Sequence, residues 1–203
     1  FAAPIEWPAG SDPSADPRLC MHGALAAEQL GYALDVLAAQ GQLEPDSPIA
    51  QQFVQDYIKE AVMHEVGHTL GLRHNFRASR AYTEAQLADT EFTRANGTTG
   101  SVMEYNAVNL PSPGKAGGVP FHTALGPYDY WAIEYAYREY ADEATEKREL
   151  ARLAALGETD PRLAYATDGD STGFDPLVSQ RDMTDDPLAF AERRIKLARE
   201  LWQ

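Results

Sequence analysis

The 203-residue chain predicts a mainly α fold with few short strands. Three observations carry that expectation. Apolar residues recur at helical spacing along several long stretches. Strand candidates are confined to two short runs, residues 5–7 and 163–167. The segment 59–76, KEAVMHEVGHTLGLRHNF, holds three of the five histidines at spacings that a helix and one following turn would bring together.

The elements follow in order. Residues 1–18 hold four prolines with Gly, Ser and Asp, which predicts extended or loop structure. From 24 to 39, Leu25, Leu30, Tyr32, Leu34 and Leu37 mark a helix that Gly41 ends. Asp46-Ser47-Pro48 supplies an N-cap with proline at the first helical position. A helix of roughly 20 residues follows, carried by Phe53, Val54, Tyr57, Ile58, Ala61, Val62 and Leu70. It is expected to bury that face and to hold the histidines in its last two turns.

Residues 77–100 predict a loop with one short helix, opened by a capping box at Thr83 and Gln86 and followed by a turn at Asn96-Gly97. The sequon Asn96-Gly97-Thr98 is taken as incidental. Residues 107–120 are rich in Pro and Gly and predict irregular chain. A helix is expected at 128–142, with Trp131, Ile133, Tyr135 and Tyr137 packed in a core. A solvated amphipathic helix follows at 143–156. After a loop-rich, acidic stretch at 157–186, a last helix runs over 187–202 behind a cap at Asp185 or Asp186.

Composition excludes some classes of function. A net charge of −14 argues against a nucleic-acid partner, because phosphate contacts need a basic face. No apolar run approaches the roughly 18 residues of a membrane span. Cys20 is the only cysteine, so no internal disulfide can form, and it is expected to play a burial role. The chain begins at Phe1 without a targeting segment, and it is expected to be a piece of a longer polypeptide with more chain upstream.

The histidine segment carries the chemistry. His64 and His68 stand one helical turn apart on one face, so both imidazoles can reach one metal ion. Gly71 suits a left-handed helix end, after which the chain can reverse and bring His74 to the same point. Three imidazoles and an open fourth position describe a catalytic zinc site. Zinc there would lower the pKa of its bound water to about 7 and polarise a carbonyl. Glu65 sits beside the metal without the spacing of a ligand, and it would serve as the general base for that water. Five fixed positions in His64-Glu65-x-x-His68-x-x-Gly71-x-x-His74 make coincidence a poor explanation.

HEVGHTLGLRH resembles the extended zinc signature of the metzincin metallopeptidases. Ser101-Val102-Met103-Glu104-Tyr105 resembles their Met-turn, which implies that Met103 packs beneath the metal. By the same resemblance, Tyr105 is an extra zinc ligand and transition-state hydrogen-bond donor, as in astacin-like and serralysin-like members. Tyr128-Asp129-Tyr130-Trp131-Ala132-Ile133 is similar to the start of the helix after that turn. More narrowly, the chain resembles large bacterial zinc-dependent metalloproteases, which are generally exported to the periplasm, the outer surface or the medium.

The resemblance implies a zincin/metzincin-like core at 1–142, as part of a longer catalytic domain, with a helical C-terminal extension at 143–203 packed on it. It also implies a sheet ahead of the zinc helix. This sequence shows none there, so the fold becomes α+β only if an upstream sheet completes it, and the chain alone is expected to lack part of its cleft. The activity expected is zinc-dependent endopeptidase cleavage of a peptide or protein substrate. The alternatives are an inactive or incomplete zinc-stabilised binding module and zinc hydrolysis of a non-peptide amide.

The remaining polar residues receive smaller roles. His122 is expected in a solvent-exposed loop, and His22 has no partner in the sequence. The acidic loop Asp168 to Asp175 suggests calcium (Ca2+), but it lacks the glutamate that ends an EF-hand loop, and a polar turn is preferred. Arg73 and Asn75 are expected to fix the turn around His74.

Overall fold

A computed structural model of the protein describes residues 20, 22–41, 44, 47–112, 115, 117–171 and 173–200. The extended structure expected over 1–18, the strand at 5–7, Asp46 and the last residues of the C-terminal helix lie outside them. Seven α-helices occur among the described residues: α1 His22–Ala39, α2 Pro48–Thr69, α3 Glu84–Leu87, α4 Thr90–Asn96, α5 Pro127–Tyr137, α6 Glu143–Thr159 and α7 Pro187–Glu200. No strand occurs among them, and the fold is mainly α. No described helix is long and apolar enough to cross a membrane.

Local chemistry sets the helix ends. The Ser47 hydroxyl accepts from the Ala50 N–H, and Pro48 opens α2 with a ring already at helical φ. Thr83 and Gln86 form the expected capping box at α3. The stretch 77–100 is more ordered than expected, because Asp89 accepts from the Glu91 and Phe92 N–H groups and starts α4, and a 3-10 turn forms at Ala78–Ala81. Asp186 accepts from the Ala189 N–H at the start of α7.

The main core joins Ala33, Val36 and Leu37 of α1, Ala50 of α2, Leu197 of α7, and Val108, Leu110 and Phe121 from the irregular chain between α4 and α5. Each Val, Leu or Phe side chain taken fully out of water contributes about 1.5–3 kcal/mol, and this core packs α1 against α2 and α7 against α1.

Three expectations are corrected. The face of α2 buries Phe53 and Tyr57 only partly and leaves Val54, Ile58, Val62 and Leu70 exposed. Helical periodicity predicts a face but not its neighbour, and the inward positions belong to Glu60, His64 and Gly67. On α5, Tyr135 and Tyr137 are exposed, while Tyr128, Asp129 and Ala132 face inward. The strand candidate at 163–167 is a 3-10 turn, Pro161–Leu163, followed by irregular chain. Its Ala166 carbonyl accepts one bond from the Phe76 N–H, at 2.7 Å, and no ladder extends from it.

Residues 97–110 are all buried although they form no regular structure. Their backbone groups therefore need partners from elsewhere. Asp129 accepts from the Val102 N–H (3.0 Å), the Ser101 hydroxyl (2.6 Å) and the Gly126 N–H (2.8 Å). Glu104 accepts from the Ser79 and Tyr105 N–H groups, and Nδ1 of His122 accepts from those of Thr98 and Thr99. This buried loop lies directly under the C-terminal half of α2. Its Met103 sulfur packs so closely on Gly67 that no Cβ would fit between them without a shift.

Candidate metal centre

Gly71 adopts φ +82°, the left-handed conformation its position demanded, and the chain reverses there. Leu72 donates its N–H back to Gly67, and His74 returns to face His68 with the two Nε2 atoms 3.1 Å apart. Asn75 locks the turn. Its side chain donates to the Ala164 carbonyl and accepts from the Arg77 and Ala166 N–H groups. The structure thus brings His64, His68 and His74 together.

The tautomers follow from the partners. Nδ1 of His64 lies 2.7 Å from the Val102 carbonyl, Nδ1 of His68 lies 3.0 Å from the Leu72 carbonyl, and Nδ1 of His74 lies 2.8 Å from an Asp168 carboxylate oxygen. Carbonyls and carboxylates only accept, so each Nδ1 carries the proton. In the neutral rings every Nε2 is then a bare lone pair. Three lone pairs converging on one point repel one another unless a cation sits between them. Burial presses His64 further toward neutrality: desolvation, joined by the nearby His22, lowers its pKa to about 2, with only the Val102 hydrogen bond opposing.

A fourth donor was not expected. Cys20, from the chain just ahead of α1, places its Sγ 3.3 Å from Nε2 of His64, 3.5 Å from Nε2 of His74 and 3.5 Å from the Tyr105 hydroxyl. The four candidate ligand atoms all lie within 4.8 Å of one another. Zinc with Zn–N near 2.0–2.1 Å and Zn–S near 2.3 Å sets neighbouring ligand atoms roughly 3.3–3.7 Å apart. The residues present fit that ion. Desolvation raises the Cys20 pKa and Glu65 adds to the rise, while hydrogen bonds from Tyr105 and the His22 N–H oppose it.

Around this set, Tyr105 packs its ring against those of His64, His74 and Phe76. Met103 is fully buried, with its sulfur against Gly67 of α2. Glu65 sits on α2 next to His64 with its side chain exposed. The burial role expected for Cys20 gives way to contact with the histidine cluster. Asp168, expected in a polar turn, orients His74, while Asp170 accepts from the Thr167 N–H and Asp175 pairs with Arg77.

His122 is fully buried rather than exposed, since its ring packs on Gly97 and serves two N–H groups. His22 stacks on His64 with ring centres 4.0 Å apart, and desolvation, with His74 and His68 beside it, lowers its pKa to about 4. Glu60, one turn before His64 on α2, is buried and accepts from Asn106 and the His122 N–H.

The histidine cluster and the buried methionine loop lie within residues 46–203, and that span, well over half of the chain, matches the family described as Met-zincin. The chain belongs to the Met-zincin family. No curated protein and no solved structure matches it. In this Met-zincin, Cys20 and His22 lie ahead of the matched span. Sequence reasoning missed them because a residue that reaches a site from 44 positions away leaves no local pattern.

Proposed function

We propose that this Met-zincin is a zinc-dependent endopeptidase. The observation that carries the reading is the convergence of three unprotonated Nε2 atoms, from His64, His68 and His74, beside Glu65. Bound zinc would supply a Lewis acid that acidifies water and polarises the substrate carbonyl.

The chain's own groups do the rest. Glu65 takes the proton of the attacking water and delivers it to the departing amine nitrogen. The Tyr105 hydroxyl, which faces the fourth ligand position at 3.5 Å from Cys20 Sγ, donates to the oxyanion that develops on the former carbonyl. Asp168, the Leu72 carbonyl and the Val102 carbonyl hold the imidazoles in the tautomer that binds metal.

Hydrolysis of casein by the full-length protein and by its Glu65→Gln variant tests this, with zinc content measured on both. Loss of about 10²–10⁴-fold in rate with zinc retained is expected for removal of a general base. Equal rates would sink the mechanism. A second reading, an inactive zinc-stabilised binding module, is favoured by one observation: with Cys20 the donor set is four, as in closed structural sites. Stoichiometric zinc without cleavage by either protein would favour that module.

A further inference from the structure

We propose that Ser101 and Asp129 are positioning residues of the metal centre, acting on His64 through the peptide unit that joins Val102 to Met103. The inference rests on the zinc reading above and gives His64 a carboxylate partner that it does not itself touch.

Four groups stand in series, each donating to the next. His64 Nδ1–H donates to the Val102 carbonyl at 2.7 Å. The other end of that peptide unit, the Met103 N–H, donates to Ser101 Oγ at 3.0 Å. The Ser101 hydroxyl then donates to Asp129 Oδ1 at 2.6 Å. His64, Met103 and Ser101 are fully buried, and Val102 and Asp129 nearly so. Asp129 accepts bonds from three groups, as a carboxylate does. All the donors point toward it, so their dipoles add. A negative charge beyond the N–H end of a peptide unit draws electron density toward its oxygen, and bonds in such a chain strengthen one another by roughly 10–30% each. A stronger acceptor at Val102 holds the His64 ring at one angle and makes its Nε2 a better electron donor.

The other two imidazoles show what the series adds. His74 meets a carboxylate directly, Asp168 at 2.8 Å, and His68 meets the Leu72 carbonyl at 3.0 Å. His64 has the carbonyl contact of the one and, through a peptide unit and a hydroxyl, the carboxylate of the other. Ser101 is the link that can be cut alone. Asp129 also accepts from the Val102 and Gly126 N–H groups, and those bonds remain when the hydroxyl is removed.

Proton NMR of the zinc-loaded, 15N-histidine-labelled full-length protein reads the series directly, with zinc content and zinc affinity measured beside it. In the wild type the Nδ1 proton of His64 should resonate downfield of that of His68, although both donate to a backbone carbonyl. Ser101→Ala should move the His64 proton upfield, leave those of His68 and His74 in place, and weaken zinc about ten-fold against a chelating dye. Asp129→Asn should also move the His64 proton upfield, and the double variant no further, because the two residues act along one path. Equal shifts for His64 and His68 in the wild type would overturn the inference, and that comparison needs no variant to fold. So would a His64 proton unmoved by Ser101→Ala, a double variant whose shift is the sum of the two, or a loss of affinity in which all three protons move together. A wild type that takes up no zinc would overturn the peptidase reading and this inference with it.

Discussion

At the scale of single residues, the candidate metal centre depends on groups outside the four candidate ligands. Asp168 fixes the His74 tautomer through one contact of 2.8 Å, from a loop 94 positions away in the chain. Partial burial works to raise its pKa, and the bond and charge of His74, joined by bonds from its own N–H and the Thr167 hydroxyl, together outweigh that, so the carboxyl is held below its usual range. Carboxylate partners of ligating histidines typically contribute 10–100-fold to metal affinity. Asp168→Ala is therefore expected to weaken zinc by about that factor in a competition against a chelating dye. Asp168→Asn keeps an accepting oxygen and should lose less. Equal affinity of all three proteins would remove Asp168 from the site. The half-exposed position of Asp168 means the fold itself should survive both changes, which circular dichroism checks.

At the scale of elements, the helix α5 and the buried loop beneath the histidines are one unit. Asp129 joins them by accepting from three buried donors that its removal would leave without that acceptor. The Tyr128 N–H also donates to the Gly100 carbonyl, and Gly126 lies so close to Gly100 that no side chain fits. Leaving several buried donors unsatisfied costs about 1–3 kcal/mol each. Asp129→Ala is thus expected to lower unfolding stability by at least ~3 kcal/mol in urea titration; a loss under ~1 kcal/mol would show that the loop is held by packing alone.

These elements also show what the sequence disclosed. His64, His68, Gly71 and His74 are readable because one helix repeat and one left-handed glycine set their geometry over eleven positions. Met103 and Tyr105 are readable only through a resemblance, since nothing local says that a turn 35 residues after His68 lies beneath it. Cys20, Glu60 and Asp168 were hidden for the same reason: their roles come from tertiary contacts. The stripe Val54, Ile58, Val62 and Leu70 misled in the opposite way, because its regular spacing promised burial that no described element provides.

At the scale of the whole molecule, buried ionisable groups of opposite kind set the response to pH. Glu60 has its pKa raised to about 7 by burial, with the His122 N–H and Asn106 opposing. Glu104, Asp129 and Asp182 shift the same way, again through burial first. A raised carboxyl binds more protons folded than unfolded, so its contribution is present at low pH and is lost as pH climbs through the folded pKa. His122 runs the other way: burial, then the nearby His22, lower it to about 3. Its folded form sheds the proton that the unfolded chain binds below about 6.5, so stability falls on acidification through that window. Between pH 4.5 and 6.5 the two signs oppose each other. Comparison with a variant isolates one side. His122→Asn keeps an acceptor for Thr98 and Thr99 but cannot titrate. Measured by urea unfolding of metal-free protein, the stability lead of the wild type over the variant should shrink by up to ~1.4 kcal/mol per pH unit from pH 6.5 to 4.5. A lead that stays constant would mean that His122 titrates as freely in the folded protein as in the unfolded chain, and its burial would then be no barrier to charge.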